Sequence, residues 1–170
     1  MLFTALATLA ASTVLASPNA VRPRAQPTIP TAQAVLVEMN AIRGARALVP
    51  MRTSWQLTAA AAEHSGEMGR RGYFEHESFD GTAFSTRVAR YYGPKGYRSW
   101  SVGENLLWGA GPLTGRAVVI GWMKSPPHRR NLLDPRWRHV GISVKHFQSA
   151  PGIFRGLDVT VVTADFGNRR

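Results

Sequence analysis

The sequence predicts an α+β fold, a three-layer α-β-α sandwich with a small, mainly antiparallel central sheet. Apolar residues recur at helical spacing through the first two thirds of the chain and alternate with other residues near its end. The 170 residues suit one domain, and 44% of them are hydrophobic, which is enough for a core. No internal repeat is visible, so we expect helices first and strands last in a single unit.

Four segments have the periodicity of helices. In the first of them, Val35, Met39 and Ile42 share one face. Gly72 suits the end of the second helix, and Pro126-Pro127 stops the fourth. The predicted helices cover about Thr31–Ala47, Trp55–Arg71, a shorter stretch after Asp80-Gly81 with Phe84, Val88 and Tyr91 on one side, and Leu113–Lys124.

Two strands are predicted near the end of the chain. In His139–Phe147, Val140 and Val144 belong to an alternating apolar set, which favours one buried face. In Leu157–Phe166 both faces are apolar, as expected for a central strand covered on each side. The loop at 148–156 joins the two as an antiparallel pair.

The first thirty residues are expected to lie outside the domain. Residues 1–16 are apolar and uncharged, which is typical of a signal peptide, although a buried N-terminal helix is the alternative. Residues 17–30 carry four prolines and two arginines, the composition of a linker. We therefore expect a domain at 31–170 that is secreted or associated with the cell envelope. We also expect it to be monomeric, with no transmembrane span in the mature form.

The composition excludes several kinds of site. No cysteine is present, so disulfides, thiolate nucleophiles and Cys-ligated metals are all excluded. The formal net charge of +11 attracts anionic partners, and arginines cluster around one histidine, His128, at Arg129, Arg130, Arg136 and Arg138. Such a rim fits an anionic cell-envelope polymer or lipid, although arginine-rich composition alone also explains it. No nucleic-acid-binding motif appears, and no nucleic-acid partner is expected.

Glu104 is the polar residue that stands out most. It lies in an apolar, glycine-flanked stretch, where a carboxylate is costly to bury unless it is paired or hydrogen-bonded. A histidine from elsewhere in the chain is a suitable partner. His76 follows a helix end and His128 begins a short helical turn, whereas His64 lies on the apolar stripe of its helix and is expected to be a core histidine.

Four segments occur in a distinctive order: YFEHESFDGTAFSTRV, VGENLLWG, WMKSPPHRRNLLDPRWRHVGI and TVVTADFG. In this order and spacing they resemble the CAP superfamily, also called the SCP domain. They look most like its disulfide-free bacterial branch, which Met39-Asn40-Ala41-Ile42-Arg43 also fits. The resemblance covers about Val35 to Gly167.

The resemblance implies an α-β-α sandwich with a cleft. In many members two histidines and two glutamates line that cleft, and some members bind a divalent metal, often zinc, through the histidines. His76 matches the first histidine, Glu104 the first glutamate and His128 the second histidine. Trp122 matches the tryptophan that precedes the second glutamate in many eukaryotic members, but the acidic position falls near Ser125. One of the two carboxylates is therefore missing.

Three uses of this cluster are open. His76, His128 and Glu104 are a sufficient ligand set for zinc or another divalent metal, with one position left free. The same three residues could hold a water, with Glu104 as general base. Glu104 could also serve only to pin two loops. Neither a Gly-x-Ser-x-Gly elbow nor a His-Glu-x-x-His helix is present, so an enzyme is not the favoured interpretation.

We expect a non-catalytic binding or effector module at or outside the cell envelope. One alternative is a metal-assisted hydrolase or peptidase that acts on cell-wall or peptide substrates. Another is a lipid- or sterol-binding protein, a role attributed to some members of the family. Four tryptophans could line an apolar groove for such a ligand, but a place in the core is expected for them instead: Trp100, Trp108, Trp122 and Trp137.

Overall fold

The computed structural model describes residues 31–170; the predicted signal peptide at 1–16 and linker at 17–30 lie outside the described residues. The helices are α1 (Thr31–Gly44), α2 (Trp55–Arg71), α3 (Phe84–Ala89), α4 (Gly115–Lys124) and α5 (Pro126–Leu132). The strands are β1 (Arg52–Thr53), β2 (Trp100–Ala110), β3 (His139–Ala150) and β4 (Leu157–Arg169). A short 3-10 turn, Gly152–Phe154, joins β3 to β4. No helix in this part of the chain combines the length and the apolar character needed to cross a membrane.

The four strands form one sheet in the order β1-β3-β4-β2. β4 pairs antiparallel with both β3 and β2, whereas the two-residue β1 pairs parallel with β3. The expected antiparallel pair is therefore confirmed, and its second strand is central. β2 lies at one edge of the sheet, a position that matters for the site described below.

Alternate residues of β4 pack against the two helical layers on opposite faces of the sheet. Val162, Ala164 and Phe166 belong to the core cluster that includes residues of α1 and α4. Val161 points to the opposite face and packs in a cluster with Met68 of α2. Because successive side chains of a strand point to opposite faces, one central strand with apolar residues on both faces needs cover on both sides. The result is the predicted α-β-α sandwich.

The end of α1 differs from the prediction. The helix ends at Gly44, three residues before Ala47, and Ala47 adopts a left-handed φ of 55° that no helix can continue. The guanidinium of Arg43 is fully buried and donates to the carbonyls of Val49 and Leu132. These hydrogen bonds hold the chain that turns away from the helix. A buried arginine was not part of the predicted apolar stripe.

Two strands were not predicted. β1 is only two residues long and carries no alternating pattern of its own. β2 contains Gly103, Glu104 and Asn105 in succession, which masks the alternation expected of a strand. In the short helix α3, Val88 is buried as predicted. Tyr91, which was predicted to share its side, is exposed, and the neighbouring Tyr92 is buried instead.

Gly141 in β3 lets α2 lie directly against the sheet. A Cβ placed on Gly141 would be 2.0 Å from the backbone carbon of Leu57 and the backbone nitrogen of Thr58. Backbone atoms cannot move aside as a flexible side chain can. We expect Gly141→Ala to lower the free energy of unfolding by about 3 kcal/mol or more, as judged by urea denaturation. Gly44→Ala, which meets no atom within 4 Å, is the matched control and should change it by less than about 1 kcal/mol.

Candidate functional site

A cavity of about 520 Å³ lies at the edge strand β2 and contains all three predicted site residues. His76 comes from the segment after α2, Glu104 from β2, and His128 from the first turn of α5. The rest of the lining comes from the same three regions and from α3: Glu77, Phe84, Gly103, Asn105, Pro127 and Asn131. The tertiary structure therefore brings the three residues to one place.

The cavity lies where the two helical layers meet around the edge of the sheet. Glu104 and Leu106 point toward the layer of α2 and α3, where Leu106 packs with Met68. Asn105 points the other way, and its side-chain amide donates to the backbone carbonyl of His128 at 3.0 Å. Adjacent positions of one strand thus hold His76 on one side and His128 on the other.

Asn131 fastens α5 to the edge strand. Its amide nitrogen donates to the backbone carbonyl of Glu104 and to the side-chain oxygen of Asn105, both at 3.0 Å. The first of these bonds satisfies a carbonyl that an edge strand leaves without a strand partner. Gly103 makes room for the contact, because a Cβ there would be 2.6 Å from the Asn131 side chain. Asn131 is a site residue that the sequence analysis did not select.

Both carboxylate oxygens of Glu104 are hydrogen-bonded. Oε1 is 2.8 Å from Nδ1 of His76, and Oε2 is 2.5 Å from Nη2 of Arg87. The Glu104 side chain is only 1% exposed, so these partners offset the cost of removing a charged group from water. The pairing of Glu104 with a histidine from elsewhere in the chain is the one expected from the sequence.

Arg87 is the cation that balances the charge of Glu104, and it was not predicted from the sequence. Its side chain is fully buried, and Nη1 donates to the carbonyl of His76 at 3.0 Å and to the hydroxyl of Ser78 at 3.2 Å. One guanidinium therefore fixes both the carboxylate and the segment that carries His76. A signal was present: Arg87 lies on the apolar side of α3, three residues after Phe84 and next to Val88.

The two cavity histidines have pKa values that move in opposite directions. The hydrogen bond to Glu104 raises the pKa of His76, whose side chain remains 48% exposed. Burial lowers the pKa of His128, and the nearby charge of His76 lowers it further. With Nδ1 of His76 held by Glu104, its other ring nitrogen, Nε2, is the one left for a ligand.

His64 is a core histidine, as its place on the α2 stripe predicted. Its ring is fully buried, and Nε2 donates to the carbonyl of Glu75 at 2.8 Å. The same nitrogen is 4.0 Å from Oε2 of Glu104. Burial lowers the pKa of His64, so the ring is neutral and forms no ion pair with Glu104. It supports the segment before His76 without lining the cavity.

Asp165 is a second buried carboxyl group behind the cavity. It pairs with Glu104 in the β2–β4 register, so the two side chains are on the same face of the sheet. Asp165 is fully buried, and neither of its oxygens has a hydrogen-bond partner among residues 31–170. Burial, together with the charge of Glu104, raises its pKa well above the usual value. Asp165 therefore holds its proton more tightly in the folded chain than in the unfolded one.

Asp165 was not selected from the sequence either, although an aspartate in a strand that is apolar on both faces is itself a signal.

Ser125, near which the second glutamate of the family falls, lies between α4 and α5 and does not line the cavity. Within residues 31–170, no group of three or more His, Cys, Asp or Glu side chains is arranged to hold a metal ion. Two imidazoles, those of His76 and His128, line the cavity.

The fold and the site together define a class: an α-β-α domain with histidines from two layers around a buried, arginine-paired glutamate. The profile of the CAP family, described as the cysteine-rich secretory protein family, matches residues 36–165. The chain belongs to this family. Its lack of cysteine agrees with the disulfide-free branch.

Three similar proteins are bacterial. The uncharacterized protein YkwD of Bacillus subtilis (strain 168) is 33% identical over 104 residues, which are 61% of this chain and 38% of YkwD. An extracellular SCP-domain protein from Bacillus anthracis str. Ames has a TM-score of 0.60 and 26% identity over 80% of this chain and 39% of that one. An outer surface protein from Borrelia burgdorferi matches with a TM-score of 0.63 and 22% identity. The match covers 84% of this chain and 97% of the Borrelia chain, and it concerns the fold alone. The chain thus spans well under half the length of YkwD and of the Bacillus anthracis protein.

Loss of Arg87 should be costly because it leaves Glu104 as a buried charge without its cation. We expect Arg87→Met to lower the free energy of unfolding by about 3–5 kcal/mol. Arg90→Met is the matched control, since Arg90 forms an exposed pair with Glu63 at 2.9 Å and should cost less than about 1 kcal/mol. Urea denaturation followed by tryptophan fluorescence measures both. Equal losses in the two variants would contradict the central role of Arg87.

The raised pKa of Asp165 predicts a specific pH dependence of stability. The unfolded chain releases the Asp165 proton above about pH 4, whereas the folded chain keeps it to a higher pH. The contribution of Asp165 to the free energy of unfolding is therefore complete below about pH 4. It falls as the pH rises toward the pKa of the folded state. Asparagine cannot ionise. In urea denaturation, the free energy of unfolding of Asp165→Asn should rise relative to that of the unmodified chain by about 1.4 kcal/mol for each pH unit within this window.

The control for this pH series is Asp158→Asn, because Asp158 is exposed. Its difference from the unmodified chain should change much less with pH than that of Asp165→Asn. If the difference between Asp165→Asn and the unmodified chain is also constant with pH, then folding does not raise the pKa of Asp165.

Proposed function

We propose that this chain is an extracellular CAP-domain binding module whose ligand site is the cavity at β2. Support for its location comes from a relative, since the SCP-domain protein of Bacillus anthracis, 26% identical to this chain, is extracellular. Support for binding at this cavity comes from its position, where side chains from two helical layers and the edge strand meet. His76 and His128 present their imidazoles there.

The hydrogen bonding of Glu104 is the observation that favours binding over hydrolysis. A general base needs a carboxylate oxygen that can accept a proton from water. Here one oxygen is held by His76 and the other by Arg87, and the side chain is almost completely buried. Glu104 therefore orients His76 and balances Arg87. A hydrolase that used Glu104 as its general base would need a water to reach one of these buried, already bonded oxygens.

A divalent metal such as zinc is one ligand that the cavity residues fit. His76 and His128 would hold it through ring nitrogens, while Glu104 fixes the ring of His76 from behind, as a carboxylate often does for a metal-bound histidine. Two imidazoles without a bound carboxylate make a weak site with open positions. A metal bound there would act as a Lewis acid for an oxygen atom of a further ligand.

A lipid or sterol ligand receives less support from the four tryptophans. Trp122 and Trp137 are buried in the core, and Trp108 packs edge-to-face against Phe154. Trp100 donates its ring N–H to the carbonyl of Tyr92. None of the four lines the cavity at β2. The expected place in the core thus agrees with the positions of Trp122 and Trp137, whereas Trp100 and Trp108 are half-buried and pack against the core.

Zinc binding gives a direct test. At a free zinc concentration ten times the Kd, the unmodified chain should gain about 1.4 kcal/mol of stability, seen as a higher Tm, and calorimetry should detect binding heat. The affinity should increase as the pH rises through the pKa of His76, because zinc competes with the proton on that ring.

The His76→Ala/His128→Ala double variant should lose both signals. His146→Ala is the control, since His146 is an exposed histidine that does not line the cavity, and it should bind zinc like the unmodified chain. Absence of heat and of a Tm shift at millimolar zinc would show that the two histidines do not hold this metal.

A further inference from the structure

A second cavity, of about 540 Å³, involves the same helix α5 but not the residues of the histidine cavity. Its residues come from α5 and the loop that follows: Arg129, Arg130, Leu133, Asp134, Pro135 and Arg136. No residue is common to the two linings. Along α5, His128 and Asn131 point to the histidine cavity, and Arg129 and Arg130 point to this one. We call the second cavity the arginine groove.

The charge of the arginine groove is mostly uncompensated. Its single carboxylate, Asp134, accepts two hydrogen bonds from Nε of Arg136 at 3.0 Å and one from Nη2 at 2.5 Å. This pairing lowers the pKa of Asp134, so the carboxylate stays ionised and is already matched by Arg136. Within residues 31–170, Arg129 and Arg130 form no side-chain hydrogen bond or ion pair, and both are exposed. Two guanidiniums are therefore left for a partner.

Two further cations, Arg136 and Arg138, are held in place on the loop after α5. The guanidinium of Arg136 lies over the ring of Trp137, 5.4 Å from its centroid. Arg138 follows on the same loop, where Nη1 donates to the carbonyls of Pro135 and Trp137. Cationic side chains thus continue from α5 along the loop to the start of β3.

We propose that the arginine groove binds an extended polymer whose repeating units carry phosphate groups. Guanidinium groups donate paired hydrogen bonds to phosphate oxygens, and several cations in succession suit several phosphates in succession. Leu133 and Pro135 give the groove an apolar floor on which the uncharged part of a repeat unit can lie. The choice of a polymer outside the cell rests on the extracellular role proposed above. The binding does not require the histidine cavity.

Calorimetry with poly(glycerol phosphate) and the full chain tests this proposal. Arg129→Ala/Arg130→Ala should raise the Kd about tenfold or more, because charge-assisted hydrogen bonds from two guanidiniums are lost. Lys95→Ala/Arg98→Ala removes the same net charge from an exposed loop outside the groove and should raise it less than about threefold. Circular dichroism and Tm should show that both variants are folded.

Three outcomes would overturn the proposal. Equal weakening in the two double variants would mean that only net charge matters. Tighter binding to phosphatidylglycerol vesicles than to the polymer, at equal phosphate concentration, would assign the groove to a membrane surface. Affinity unchanged at high salt would exclude an electrostatic contact. The His76→Ala/His128→Ala variant should bind the polymer normally, so failure of the zinc site and failure of the groove are distinguishable.

Discussion

The buried carboxylate of Glu104 is the constraint on which the site depends. A charge with 1% exposure needs partners, and its two oxygens recruit His76 from one loop and Arg87 from α3. Arg87 in turn fastens the backbone that carries His76. The geometry of the cavity histidine is therefore a consequence of how one carboxylate is neutralised. Burial next to Glu104 acts on Asp165 in another way, because it raises the pKa of that carboxyl group and favours its neutral form.

The edge position of β2 explains why the site lies where it does. An inner strand is covered on both sides by hydrogen-bonded neighbours, whereas an edge strand leaves backbone groups for side chains to satisfy. Asn131 uses one such carbonyl and thereby brings α5 against the sheet. His128 reaches the cavity from that side, and His76 reaches it from the other. α5 also carries the arginines of the second groove, so one short helix contributes to both surfaces.

The fold was predictable where local pattern and tertiary environment agree. α2 was predicted with the bounds observed, Trp55–Arg71, because its apolar stripe and its terminal glycine signal the same element. The β3–β4 pair followed from alternation and from a strand apolar on both faces. β2 was missed because a carboxylate and an amide occur at adjacent positions in it, and these residue types weaken a strand pattern. Its strand character comes from its pairing with β4, a contact distant in sequence.

The sequence by itself determined that apolar residues are numerous enough for a core, that no thiol chemistry is available, and that a buried Glu104 needs a partner. Its family resemblance also selected His76 and His128, and all three residues line one cavity. Only the tertiary structure decided that Arg87 neutralises Glu104 and that Asp165 lies beside Glu104 on the neighbouring strand β4. The physical reason is that burial and pairing of a charged side chain depend on neighbours from other elements. Residue type and spacing show that a carboxylate is out of place, but only packing shows what surrounds it.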